Sequence, residues 1–460
     1  MGSWASEELK YTALPDQRLS KRLIKVVENL ARQPHASIPQ ASGDWANTKA
    51  TYNLWKSARI EAEDIIEGHR KSTVQRASEQ KIVLAIQDTS DFNFTHHQAK
   101  TERQGFGMTC AQKYVRGLKV HSLMASTTQG VPLGILEQQI WTRAVKKTKN
   151  KNQKTQKSVF NKESKRWLTS LVSAELAIPS TTTVVTVTDR EGDIYDLFAL
   201  NREPNSELLI RAKHNRRVNH ELKFIKQAMK QVSDAGQLKI SVPRQDEKKS
   251  RIANLTIRYA NFDFPPPINR AKSFKNQSVT LNVISATEEN PPPEVKPITW
   301  FLLTSLEVNN FEQATCRIRW YTYRWLIERY HYVLKSGCRI EQLQLKTAER
   351  IEKALATYSI VAWRLLWLTY QARDNPDLPC DTILEKHEWQ SLYCNFYGFP
   401  LPQEPPSIKQ VVIWIARLGG FLARNHDGFP GVKTLWRGLQ RLHDIASTWK
   451  LLHSSPHPNL

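Results

Sequence analysis

Apolar and polar positions change rhythm several times along the chain. Residues 8–33, ELKYTALPDQRLSKRLIKVVENLARQ, place Leu19, Leu23, Val26, Val27 and Leu30 at helical spacing, with Arg18, Lys21, Arg22 and Lys25 between them. A turn-like PHASIPQASGD leads into a second helical stretch, WANTKATYNLWKSARIEAEDIIEGH. Together they predict a basic helical module over residues 1–75. At Lys81 the period shifts: KIVLAIQDTSDFNF, VRGLKVHSLMAST and VPLGILEQQIW read as strands joined by Gly-containing turns. Residues 146–167, rich in lysine, read as an exposed loop entering a helix, and TTTVVTVTDREGDIYDLFAL as strand, turn and helix. Strands alternating with helices indicate an α/β core.

From about residue 217 to 297 the runs become β-rich, punctuated by Pro265–Pro267 and Pro291–Pro293. This reads as an insertion in a catalytic domain spanning 76–370. ITWFLLTSLEV resumes the core as a strand, and YTYRWLIERYHYVLKSG, residues 321–337, follows as one helix. A long apolar helix, IEKALATYSIVAWRLLWLTYQAR, comes next. A Pro-rich break near 375–406 then precedes two more helical stretches, giving a helical C-terminal region over 371–460.

Composition sharpens this outline. The 460 residues carry a formal net charge of +22, which points to a polyanionic partner. No apolar run approaches the ~20 residues needed to span a bilayer, so nucleic acid is expected rather than a membrane. The five cysteines, Cys110, Cys316, Cys338, Cys380 and Cys394, form no C-x-x-C pair. Neither a disulfide framework nor a zinc site is indicated, and a reducing cytoplasm fits.

The chemistry lies in the acids. Asp88 and Asp189 each end an apolar run, the place where an α/β core delivers side chains to a common site. Clustered carboxylates need a compensating cation, and an oxygen-only ligand set favours Mg²⁺ or Mn²⁺. With so basic a surface, this suggests phosphodiester chemistry at two ions. On residues 321–337, Tyr321, Arg324, Glu328, His331 or Tyr332, and Lys335 fall on one stripe. Trp320, Trp325, Leu326, Tyr330 and Leu334 make that helix too apolar to lie free in water, so the stripe lines a cleft. Glu328 can then supply a third carboxylate.

The pattern Tyr-x(2)-Arg-x(3)-Glu-x(6)-Lys, here Tyr321, Arg324, Glu328 and Lys335, resembles the signature of the IS-four family of bacterial DDE transposases, which includes the Tn-five transposase. AIQDTSDFNFTHH and VTDREGDIYDLF resemble the segments carrying that family's two catalytic aspartates. LLIRAKHNR, WFLLTSLEV and IARLGGF also look like family segments, in order along the chain. The resemblance implies an RNase H-like catalytic core in which Asp88, Asp189 and Glu328 bind Mg²⁺ or Mn²⁺. It implies that Tyr321, Arg324 and Lys335 hold the DNA end, that Trp300 stacks a flipped base, and that Arg211 lies near that end. The N-terminal module resembles an end-recognition domain, and the C-terminal helices a dimerisation region of a homodimer. The implied activity is cut-and-paste transposition through a hairpin intermediate, in a bacterial, nucleoid-associated protein. Two departures stand out: Asn53, at a position that can be basic, and Tyr332, where a Lys can occur. Asp91, Asp193 and Asp196 are expected in turn and helix-start roles. Two rivals remain: a nuclease that joins nothing, and a DNA-binding relative without activity.

Overall fold

The computed structural model describes residues 3–97, 106–109, 115–143, 163–242, 251–293 and 295–453. Residues 146–162 of the expected lysine-rich loop, and Cys110, lie outside them.

Five helices open the chain: α1 (Trp4–Glu8), α2 (Gln17–Arg32), α3 (Ile38–Ser42), α4 (Trp45–Lys56) and α5 (Ala62–Ser78). Asp16 caps α2 by accepting from Arg18 N, and the helix buries Leu19, Leu23, Val26, Val27 and Leu30, the stripe legible in sequence. A large mixed sheet follows, built from β1 (Ile82–Asn93), β2 (Gly107–Met108), β3 (Arg116–Ser126), β4 (Pro132–Trp141), β5 (Thr183–Thr188) and β6 (Ser206–Arg211). It continues through β7 (Gly236–Val242), β8 (Arg251–Phe264), β9 (Val279–Glu288) and β10 (Thr299–Thr304). The order is β2-β3-β1-β5-β6-β10-β9-β8-β7, with β4 on β3. β1, β5 and β6 run parallel, and their apolar runs are buried on both faces, as parallel strands require. The other pairings are antiparallel. The β-rich stretch therefore extends the same sheet rather than standing apart from it.

Two helices, α6 (Lys165–Ala177) and α7 (Tyr195–Phe198), flank β5, and α8 (Ile225–Gln231) precedes β7. After β10 come α9 (Phe311–Thr322), α10 (Trp325–Tyr332) and α11 (Ala348–Asp374). Apolar on nearly all sides, α11 is buried along most of its length. The N-terminal helices pack on it, with Trp55 Nε1 donating to Thr357 Oγ1 at 3.1 Å. The C-terminal helices α12 (Lys386–Tyr397), α13 (Ile408–Leu418) and α14 (Val432–His453) form a further core with its end. Among the described residues, no helix is long and apolar enough to cross a membrane.

Three expectations change. The apolar run of β1 ends at Asp88, but the strand continues to Asn93 because β3 pairs with it throughout. Residues 321–337 are not one helix. Tyr323 N and Arg324 N bond three residues back, to Trp320 O and Tyr321 O, and this tightening separates α9 from α10. A π-helical turn, Val333–Gly337, then closes with Cys338 N on Val333 O at 2.7 Å. Finally, the Pro-rich break contains α12. Its prolines flank the helix, which starts on a Glu385–Glu388 capping box and buries Trp389 and Leu392.

Candidate functional site

Register brings the two aspartates together. β1 and β5 are parallel with Gln87 opposite Thr188, so Asp88 and Asp189 are the next residues on neighbouring strands. Asp88 stays in the sheet, opposite Ser122, and its side chain is 20% exposed. Asp189 leaves β5 and caps a 3₁₀ turn, Arg190–Gly192, accepting from Glu191 N at 2.8 Å.

The third carboxylate arrives on α10. Glu328 is half exposed and its Oε1 pairs with Arg324 Nη2 at 2.6 Å. His331, one turn further on, docks the helix against the sheet. Its Nδ1 lies 3.6 Å from Asp88 Oδ2 and its Nε2 3.2 Å from Ser122 Oγ. Burial works against the Arg324 charge, yet Tyr321, Glu328 and Asp88 hold its pKa above the ordinary arginine value. One guanidinium thus stands in the field of two of the three acids. Among the described residues, no group of three or more His, Cys, Asp or Glu side chains is gathered closely enough to hold a metal ion.

Beside the acids is a buried cationic pocket. Leu302 of β10 pairs with Arg211 of β6, which sets the Arg211 guanidinium carbon 6.0 Å from the Trp300 ring centre. Tyr321 meets Trp300 edge to face at 5.2 Å, and Trp300 is only 5% exposed. Tyr321 Oη, Arg211 Nε and Arg324 Nε are all buried without a hydrogen-bond partner. These groups are incompletely bonded within the described residues, and the Arg211 and Arg324 guanidiniums lie close enough to the Tyr321 phenol to interact with it. Burial raises the Tyr321 phenol against the pull of Arg324 and Arg211, and burial lowers Arg211. Lys335 sits in the π turn with Nζ 5.1 Å over the Phe92 ring. Burial lowers its pKa, opposed by Glu341, Asp91 and Asp88.

The neighbouring acids have more definite roles than turn or helix start. Asp91 lies within β1 and forms an ion pair with Lys119, its register partner on β3. Asp193 is fully buried and accepts from Lys213 N at 2.7 Å and His214 N at 3.0 Å, while Arg216 pairs with it at 2.5 Å. It fixes the segment after β6. Asp196 does lie in the first turn of α7, and Arg270 holds it with two contacts of 2.5 Å. Sequence reasoning missed Arg166 altogether. That side chain binds both aspartate-bearing segments, and no local pattern marks it.

A mixed sheet that delivers acids beside buried cationic side chains, in a chain of net charge +22, fits a protein that works on nucleic acid. Residues 1–60 match the family described as "Transposase DNA-binding", which makes that class a transposase. Residues 360–452 match the "Transposase Tn5 dimerisation domain". The two matches support a Tn5-like transposase, with a domain that binds DNA at one end of the chain and a dimerisation region at the other; a family of that type implies a DNA-cutting and joining enzyme. Transposases of this type are metal-dependent in general.

Proposed function

We propose that the chain is a cut-and-paste transposase whose single reaction centre is Asp88, Asp189 and Glu328. The observation that carries this is the parallel register setting Asp88 beside Asp189, with α10 docked on Asp88 through His331. An RNase H-like core is supported by the order β4-β3-β1-β5-β6, two antiparallel pairings followed by two parallel ones. The proposed division is an end-binding domain over 1–75, a catalytic domain over 76–370 and a dimerisation region over 371–460.

The donor types suit a hard divalent cation, but the three carboxylates do not yet gather around one point, so Glu328 would have to leave Arg324 and close on the two aspartates. All three are carboxylates, and among the described residues Asp88 and Asp189 form no ion pair with Lys or Arg. Bound there, two Mg²⁺ or Mn²⁺ ions would activate an attacking water or hydroxyl and neutralise charge on the leaving oxygen. The chain's own residues grip the DNA. Arg211, Tyr321 and Arg324 offer their incompletely bonded donors to a phosphate, Lys335 adds charge beside Asp88, and Trp300 offers a ring to an unstacked base. The reaction begins with water cleaving one strand at the element's end. The 3′-OH attacks the opposite strand to form a hairpin, a second water opens it, and the freed 3′-OH joins target DNA.

The test is incubation of the full chain with terminal-repeat DNA and Mg²⁺, comparing Glu328→Ala. Wild type should yield cleaved and joined products. The variant should bind DNA within about threefold of wild type yet cut at least about 10³-fold more slowly, the scale of lost charge stabilisation at a reacting centre. Identical products from both would sink the assignment, and cleavage without joining would make the protein a nuclease.

A further inference from the structure

Arg166, on the first turn of α6, reaches both segments that carry the aspartates. Its Nε donates to Thr89 Oγ1 at 2.8 Å, one residue beyond Asp88. Its Nη2 donates to Glu191 Oε2 at 2.8 Å, and Glu191 N in turn donates to the Asp189 carboxylate at 2.8 Å. The remaining nitrogen, Nη1, bonds Glu163 O at 2.9 Å and ties the guanidinium back to the start of its own helix. Only a planar guanidinium can aim three separate donors along such fixed directions.

The clasp is itself held. The Arg166 side chain is 11% exposed and lies against the rings of Trp167, at 5.1 Å, and Trp141, at 5.7 Å. Thr89 Oγ1 is bonded a second time, by buried His121 Nδ1 at 2.8 Å. The two arms differ in shelter: Thr89 belongs to the sheet, whereas Glu191 is 60% exposed and sits on the 3₁₀ turn. The guanidinium therefore anchors the exposed Asp189 turn to the sheet-bound β1 strand.

We infer that Arg166 is a positioning residue that fixes the spacing of the Asp88 and Asp189 carboxylates by bridging Thr89 and Glu191. It touches neither carboxylate nor any reacting atom. The inference rests on the proposed role of those aspartates in cation binding.

The experiment follows Mn²⁺ alone binding to the full chain, by electron paramagnetic resonance of the free ion, in wild type, Arg166→Lys, Glu191→Gln and Asp88→Asn. Thermal melting and terminal-repeat DNA binding are measured alongside. Arg166→Lys keeps the charge but loses the fork. It should weaken Mn²⁺ binding at least tenfold while melting and DNA affinity stay near wild type. Glu191→Gln, which weakens one arm, should give a smaller shift in the same direction. Unchanged Mn²⁺ affinity in Arg166→Lys overturns the inference, as does a parallel loss of melting temperature and DNA binding, which would mark a general structural role. Wild-type binding indistinguishable from Asp88→Asn overturns the inference and the functional reading together. Normal wild-type binding with no effect of Arg166→Lys overturns the inference alone.

Discussion

Glu8, His69 and Arg76 show how single residues fasten the N-terminal helices to the sheet. His69 Nδ1 donates to Glu8 Oε1 at 2.6 Å while its Nε2 accepts from Ile135 N at 2.9 Å, so the buried ring is neutral. Arg76 grips Glu8 with two bonds, at 2.8 and 2.9 Å, and donates to Leu133 O. Burial would raise the Glu8 carboxyl, but His69 and Arg76 outweigh it and hold its pKa below the ordinary 4.5. Burial pushes His69 below the ordinary 6.5, with Glu8 opposing. Both native pKa values lie below their unfolded ones, so both groups contribute stability that is present at neutral pH and lost on acidification. Melting temperature should begin to fall as pH drops through 6.5 and fall further below 4.5; a flat profile would refute this. Glu8→Ala should cost about 3 kcal/mol, because it strands the Arg76 charge. None of this cluster was legible in sequence, since Glu8 meets residues more than sixty positions away. Asp88, Asp189 and Glu328 could be singled out as candidates because each follows a local pattern: an apolar run for the first two, a helical stripe, since shown to be broken, for the third.

Elements repeat that division between local and distant causes. The α2 stripe and the buried strands follow from periodicity alone. The break between α9 and α10 does not, because no Gly or Pro announces it: Tyr323 and Arg324 keep near-helical angles and only the hydrogen-bond span shortens. The 3₁₀ turn after Asp189 depends on a close approach of equal subtlety. A Cβ on Gly192 would stand 2.2 Å from Thr188 Oγ1 and 2.6 Å from Thr188 Cβ, so the turn closes only around a glycine. Gly192→Ala should lower stability by about 1–3 kcal/mol, the usual scale of overpacking. It should also slow DNA cleavage by displacing Asp189. The double variant Gly192→Ala/Thr188→Ala removes the hydroxyl but keeps a Cβ 2.6 Å away, so it should recover only part of either loss. If melting and cleavage rate in Gly192→Ala matched wild type, the close approach would not control the turn.

For the whole molecule, charge and topology were unequally readable. A net charge of +22 calls for a polyanionic partner whatever fold carries it. It also forecasts strong salt dependence: terminal-repeat affinity, measured by fluorescence anisotropy, should fall about 10³-fold or more between 50 and 200 mM salt. A fall of less than tenfold would mean that few phosphates are neutralised. Strand order was unreadable, because an apolar run states that a strand is buried but not which neighbour covers its edge. β10 makes the point. It lies between β6 and β9 and bonds to both, although it is the last strand among the described residues. In order of synthesis, then, β7, β8 and β9 are made before the strand that joins them to β6. From residue 211 until residue 299 emerges, β6 presents a bare row of amides and carbonyls, the kind of edge that invites pairing with the wrong chain. A message cut short after β9 is made but before β10 follows would release a product with an open seam through the centre of its sheet.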